Sequence, residues 1–167
     1  VSGVTIRNNV VRGAGSSGIY LETGSKQSRV EGNVIADNGF RENGPGGQLF
    51  RFAGTQLWFW GVGREGVSID GSYENTIVAN RIGVGLDGSP IPNQQWGIRM
   101  TGQDHIIERN IIGSNVLGGI FVNNALGDNA NYPAALTLRN RISANSFIEN
   151  GGMGIDVVPT GVTPNDE

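Results

Sequence analysis

Residues 142–157 read ISANSFIENGGMGIDV. Ile142 is followed three positions later by Asn145, and the apolar Phe147 comes two after that. A second asparagine sits at Asn150, and a glycine–apolar step runs from Gly154 to Val157. An amphipathic helix would repeat its apolar residues every three to four positions, and a hairpin would alternate on either side of a short turn; this stretch does neither.

Laid over the chain, the same unit occurs five times. Ile6, Asn9 and Val11 lead to Gly18-Ile19-Tyr20-Leu21, and Val30, Asn33 and Ile35 lead to Gly66-Val67-Ser68-Ile69. Ile77, Asn80 and Ile82 lead to Gly97-Ile98-Arg99-Met100, and Ile107, Asn110 and Ile112 lead to Gly119-Ile120-Phe121-Val122. The quoted stretch is the fifth copy. From the asparagine to the apolar residue after glycine the step is 10 residues in copies one, four and five, 34 in copy two and 18 in copy three. A constant core pattern with all length variation at one place is how a coiled solenoid accepts insertions. Runs such as GIYL, GVSI and GIFV alternate in and out over four residues, so the strands are short.

The recurring Asn9, Asn33, Asn80, Asn110 and Asn145 are expected at the bend between two strands, in the left-handed region that asparagine tolerates better than other non-glycine residues. Stacked coil upon coil, their amides would hydrogen-bond into a ladder. The glycine before each apolar step is expected to form a second tight corner.

The phrases NTIVANRIG, HIIERNIIGSN and NGGMGIDV resemble right-handed parallel β-helix repeats of the pectate-lyase-like superfamily, of the kind found in bacterial secreted and surface proteins. The resemblance covers nearly the whole chain. It implies an all-β solenoid of about five coils with long loop insertions and an extracellular or cell-surface location. It leaves activity open, because this superfamily includes lyases, hydrolases, epimerases, tail spikes and adhesins. A β-sandwich or a left-handed β-helix fits less well, since there is no hexapeptide repeat and the coils are uneven.

One domain is expected over residues 1–167, with insertions at about 36–65 and 84–96. Five coils stacked at strand spacing give a height of roughly 24 Å. The chain begins at Val1 without Met and ends in PTGVTPNDE, so a processed chain, a fragment of a longer one, or end-to-end self-association is expected. With no cysteine, disulfides, thiolate metal sites and a cysteine nucleophile are excluded. Net charge is −3, and the 12 basic residues are scattered along the sequence, so nucleic acid is not an expected partner. No long apolar run predicts membrane insertion.

The first insertion, 36–65, carries Phe40, Phe50, Phe52, Trp58, Phe59 and Trp60, half of the chain's aromatics, which argues for an ordered segment. Both insertions precede a glycine–apolar strand on neighbouring coils and so should rise beside one sheet. Enzymes of the fold that the chain resembles place a substrate groove there.

On that sheet the outward columns should read Tyr20, Ser68, Arg99, Phe121, Asp156 and, one step along, Glu22, Asp70, Thr101, Asn123, Val158. Glu22 and Asp70 on adjacent coils are a candidate carboxylate pair for glycoside hydrolysis, and Arg99 a candidate cation beside a uronate carboxylate in a lyase. The plain alternative is a set of solvated residues with Arg99 in a surface ion pair. Trp58, Trp60 and Trp96, with Tyr20 and Phe121, are the candidate platform for sugar rings, or else they pack the insertions down. His105, between Asp104 and Ile106, reads as a surface histidine in a turn, since one histidine offers no metal-ligand spacing. Asp87, Asp128 and Asp166 offer oxygens to calcium, though they match no calcium-binding motif and turn chemistry accounts for them; no metal or other cofactor is assigned.

The expected function is a surface-displayed scaffold presenting an aromatic loop surface to a polysaccharide or a protein partner. A polysaccharide lyase or glycosidase is the enzymatic alternative, and a subunit stacking end to end in a filament or adhesin is the structural one.

Overall fold

The computed structural model describes residues 1–39, 63–123 and 137–157, together with the backbone of two further strands at 48–52 and 55–59. It is a right-handed parallel β-helix of five coils. The first coil contributes β1 (Thr5–Arg7), β2 (Val10–Val11) and β3 (Ile19–Leu21), and the second β4 (Arg29–Glu31) and β5 (Val34–Ile35). An antiparallel hairpin of β6 (Gln48–Phe52) and β7 (Thr55–Phe59) follows before β8 (Val67–Tyr73) closes the second coil. The third has β9 (Thr76–Val78), β10 (Arg81–Ile82) and β11 (Trp96–Gln103), and the fourth β12 (Ile106–Glu108), β13 (Ile111–Gly113) and β14 (Gly118–Val122). The fifth has β15 (Arg141–Ser143), β16 (Ser146–Ile148) and β17 (Ile155–Val157).

Like strands stack on like. The first sheet runs β1-β4-β9-β12-β15, the second β2-β5-β10-β13-β16 and the third β3-β8-β11-β14-β17, every pairing parallel. The apolar positions of the repeat meet inside: Val30, Ile77 and Ile107 from the first sheet, Ile35, Ile82 and Ile112 from the second, and Val67, Ile69, Ile98, Met100 and Ile120 from the third are all fully buried. Ile6, Val11, Ile142 and Phe147 on the outer coils pack against this core and stay partly open.

Each coil turns three corners, and each corner is built alike: a residue in the left-handed region, then a residue that hydrogen-bonds along the stack. All eleven non-glycine residues with positive φ lie at these corners. At the first corner the left-handed residues are Asn8, Gly32, Ala79, Arg109 and Ala144, each immediately before a ladder asparagine. This corrects the expectation that the ladder asparagines themselves take the left-handed torsion. Their amides have another task, which needs them pointed along the stack. The backbone N–H and Nδ2 of Asn33 both donate to Asn80 Oδ1, at 2.9 and 3.0 Å. Those of Asn80 do the same to Asn110 Oδ1, and those of Asn110 to Asn145 Oδ1. Asn9 joins the same ladder through Asn33 Oδ1.

A second ladder, of Asn38, Asn93, Asn115 and Asn150, runs up the corner before the third sheet. It explains the glycines preceding the apolar steps, and differently from the corner role expected of them. Gly66 and Gly97 are not left-handed; they are crowded. A Cβ on Gly97 would sit 2.6 Å from Ile112 Cγ2 and 2.8 Å from Asn115 Nδ2, and one on Gly66 would sit 2.9 Å from Asn93 Nδ2. Glycine is required there because the ladder amide occupies the space a side chain would fill.

The insertions leave the coil at this same corner. Residues 84–92 loop out between left-handed Gly83 and ladder Asn93, closed by an antiparallel bridge of Val84 to Pro90. The hairpin of β6 and β7 leaves after Asn38 and Gly39, and the chain is back in register at Glu65 and Gly66.

Candidate functional site

The outer face of the third sheet carries the expected column. Tyr20 pairs with Ser68, Ser68 with Arg99, Arg99 with Phe121 and Phe121 with Asp156. Its members differ in exposure. Tyr20 is 47% exposed, Arg99 and Phe121 are half-buried, and Ser68 and Asp156 are buried. Asp156 Oδ1 has no hydrogen-bond partner among the described residues.

Asp70 lies at the centre of the face. Tyr20 donates its hydroxyl to Asp70 Oδ2 at 3.2 Å, and the Thr101 hydroxyl donates to Asp70 Oδ1 at 3.2 Å. Thr101 Oγ1 in turn accepts the Gly71 N–H at 2.8 Å, which fixes the hydroxyl rotor. The Tyr20 phenol is pushed up to about 12, first by burial and then by the Asp70 carboxylate that its proton satisfies. At neutral pH Tyr20 is therefore a donor. Glu22, one step past the Leu21–Ile69 pair, is exposed at the end of β3. Of the three residues considered for catalysis, Asp70 is thus locked between two hydroxyls from neighbouring coils while Glu22 stands in solvent. The Arg99 guanidinium makes no hydrogen bond or ion pair among the described residues.

Beside Arg99, the Trp96 and Phe121 rings stack with centroids 5.0 Å apart and an interplanar angle of 17°. Trp96 pairs with Gly118, which has no side chain to occupy the place where the indole lies. Three of the five aromatics considered for a platform (Tyr20, Trp96 and Phe121) therefore sit on one sheet face. Trp60 and the side chain of Trp58 lie outside the described residues, as do Asp128 and Asp166. Asp87 Oδ1 accepts from the Ser89 N–H and hydroxyl at 3.0 and 2.7 Å, closing a turn. Among the described residues no three acidic or histidine side chains gather as a metal-binding group.

Two residues have places that sequence reasoning missed. Glu65 is buried, with its carboxylate accepting from the Ser17 hydroxyl at 3.0 Å. Burial raises its pKa, and the neighbouring Arg99 guanidinium pulls the other way. Glu65 belongs to the row Ser17, Glu65, Trp96, Gly118 at the start of the third sheet, a position hidden in the sequence by the long insertion before it. His105, expected at the surface, is fully buried. It replaces an asparagine in a third ladder: Ser28 N–H donates to Asn75 Oδ1 at 2.9 Å, Asn75 N–H to His105 Nδ1 at 3.1 Å, and His105 N–H to Asn140 Oδ1 at 2.8 Å.

The face can thus offer an aromatic surface, a guanidinium with no partner among the described residues and an oriented carboxylate–hydroxyl set within one sheet. Comparison of the chain with family models, with curated proteins and with solved structures finds no match.

Proposed function

We propose that the chain is an extracellular β-helix scaffold whose third sheet, with the loops beside it, binds carbohydrate. The reading rests on one juxtaposition: the stacked Trp96–Phe121 pair next to Arg99, whose guanidinium has no partner among the described residues, and the Asp70 hydroxyl set. A sugar ring offers an apolar face to an aromatic plane and hydroxyls at its edge to charged and hydroxylic groups, and these residues supply both kinds of contact. The resemblance of the repeat to pectate-lyase-like coils supports the extracellular location and the choice of this sheet.

The test is equilibrium binding to a panel of neutral and acidic polysaccharides, with Phe121→Ala and Arg99→Ala as variants. Both side chains are half-buried on the outer face, so the fold should survive their loss. About a tenfold or greater loss of affinity is expected from each, on the scale of one aromatic or one charged contact. Binding unchanged in both variants would overturn the reading. Release of reducing or unsaturated ends by the wild-type chain would move it to the enzyme class, with Asp70→Asn the variant to examine.

A further inference from the structure

We propose that His105 is an acid-sensitive joint: a proton added to its ring opens the corner between β11 and β12, behind the Asp70–Thr101 contact. In the first ladder the amide at each level does two things: its oxygen accepts the N–H of the asparagine one coil before, and its nitrogen donates to a carbonyl in that same coil. Asn110 Oδ1 accepts from Asn80 while Asn110 Nδ2 donates to the Ile77 carbonyl at 2.9 Å. In the third ladder Asn140 repeats this, accepting from His105 N–H and donating to the Gly102 carbonyl at 2.9 Å.

His105 performs only the accepting half. Nδ1 takes the Asn75 N–H, which places the ring proton of the neutral form on Nε2. Nε2 is buried with no hydrogen-bond partner among the described residues. It lies under Gly102 on the side of the Ser72 carbonyl: a Cβ on Gly102 would come 2.9 Å from Nε2 and would also meet Ser72 O. The imidazole therefore reaches toward the carbonyl that an amide would satisfy and does not complete the bond.

A second proton can only go to Nδ1, the atom already accepting from Asn75. Protonation turns that acceptor into a donor facing a donor, so the Asn75–His105 rung must break. Only backbone groups and one carboxylate offset the charge. From β8 and its turn the ring meets Ser72 and Asn75, and from β11 Thr101 and Gly102; none of these titrates. The one ionised neighbour acting on it is Asp104, whose carboxylate is engaged by Arg139 at 2.7 and 2.8 Å. Burial accordingly holds the His105 pKa below its ordinary value, against weaker pulls from surrounding backbone carbonyls and Asp104. Because the closed form binds the proton less well than the open one, the closed corner is fully stable above the ordinary histidine pKa and is lost progressively as pH falls below it. Thr101 holds Asp70, so the loosened segment is the back wall of the face described above.

His105 is the only histidine, so its ring signals titrate in isolation. The experiment follows those signals by NMR in the full chain. It also follows exchange protection of two amides, Asn75 N–H, which donates to His105, and Asn33 N–H, which donates to Asn80, corrected for intrinsic exchange. Between pH 7 and 5 the Asn75 amide should lose protection by up to about tenfold per pH unit, while that of Asn33 holds. In His105→Asn, an amide again fills the rung, and Asn75 protection should become flat across the same window. A histidine titrating at or above about 6.5 with the Asn75 amide still protected would overturn the proposal. So would equal loss at Asn33 and Asn75 in the wild-type chain, which needs no variant to fold.

Discussion

The first and third corners of the coil perform the same task with different parts. Both place a left-handed residue and then a hydrogen-bonding residue at every level. The first uses asparagine five times without exception, from Asn9 to Asn145. The third uses Ser28, Asn75, His105 and Asn140. A ladder built from one side chain repeats the same contacts at each level, whereas a mixed one does not: His105 Nε2 has no partner among the described residues, and the Asn75 amide reaches the Ser25 carbonyl only at 3.4 Å while donating to the Ser72 hydroxyl at 2.9 Å. The first corner thus repeats one contact pattern at every level, and the third changes it at His105.

The largest difference between the two corners is expected at Asn80. Asn80→Ala removes the oxygen that takes both Asn33 donors and leaves the Val30 and Val78 carbonyls without the amide they hold at 3.0 Å. Several buried polar groups are orphaned at once, so a loss of about 3 kcal/mol or more in unfolding free energy is expected by denaturant titration. Asn75→Ala, at the same coil of the third corner, orphans the buried Ser28 N–H and releases Ser72; a smaller loss of about 1–2 kcal/mol is expected. Equal costs at the two sites would mean that ladder uniformity contributes nothing.

A change of opposite sign tests the left-handed positions. Ala79 holds φ 55° and is exposed, so Ala79→Gly should raise stability by about 0.5–1 kcal/mol, the relief of a strained torsion less the chain entropy that glycine adds. A fall in midpoint would show that the corner holds no strain to relieve.

The smallest effect expected is at Glu65. Its carboxyl is favoured neutral in the folded chain, so the associated stability is complete below the ordinary carboxylate pKa and declines as pH rises through the raised one. Glu65→Gln should flatten that decline in a series of melting temperatures from pH 4 to 7. This slope runs against the one assigned to His105, and the two variants together separate them.

The first ladder was legible because its spacing does not vary, three residues back from the asparagine and two forward in all five copies. The first outward column of the third sheet was legible because each of its strands opens on the same glycine–apolar step; one step along, a bulge after Met100 shifts the register of β11 on β8. Register follows from such a pattern, and Tyr20, Ser68, Arg99, Phe121 and Asp156 stand where counting puts them. The torsions were not legible, since composition cannot say which of two adjacent turn residues is left-handed, and Asn8, Ala79 and Arg109 share no side-chain property. The third ladder was hidden for a similar reason: serine, asparagine and histidine look alike only once the hydrogen bonds are seen. His105 therefore read as a solvated turn residue, although its place one residue before β12, like that of Asn75 before β9, was a signal available from the register. On the candidate face the sequence could offer the column but not the contacts, because the hydroxyls of Tyr20 and Thr101 reach Asp70 from coils below and above it.

The second corner shows that a rung can be supplied by residues reached after a detour. Gly83 and Asn93 flank nine residues of excursion, and the stack above and below keeps its pairing. Coil closure is thus a matter of where the chain returns and not of how far it has wandered. A wall of loops of any length can be raised along one side of the molecule without retuning the wheel that carries it. Splicing a foreign peptide between Ser114 and Asn115 would add a third post to that palisade.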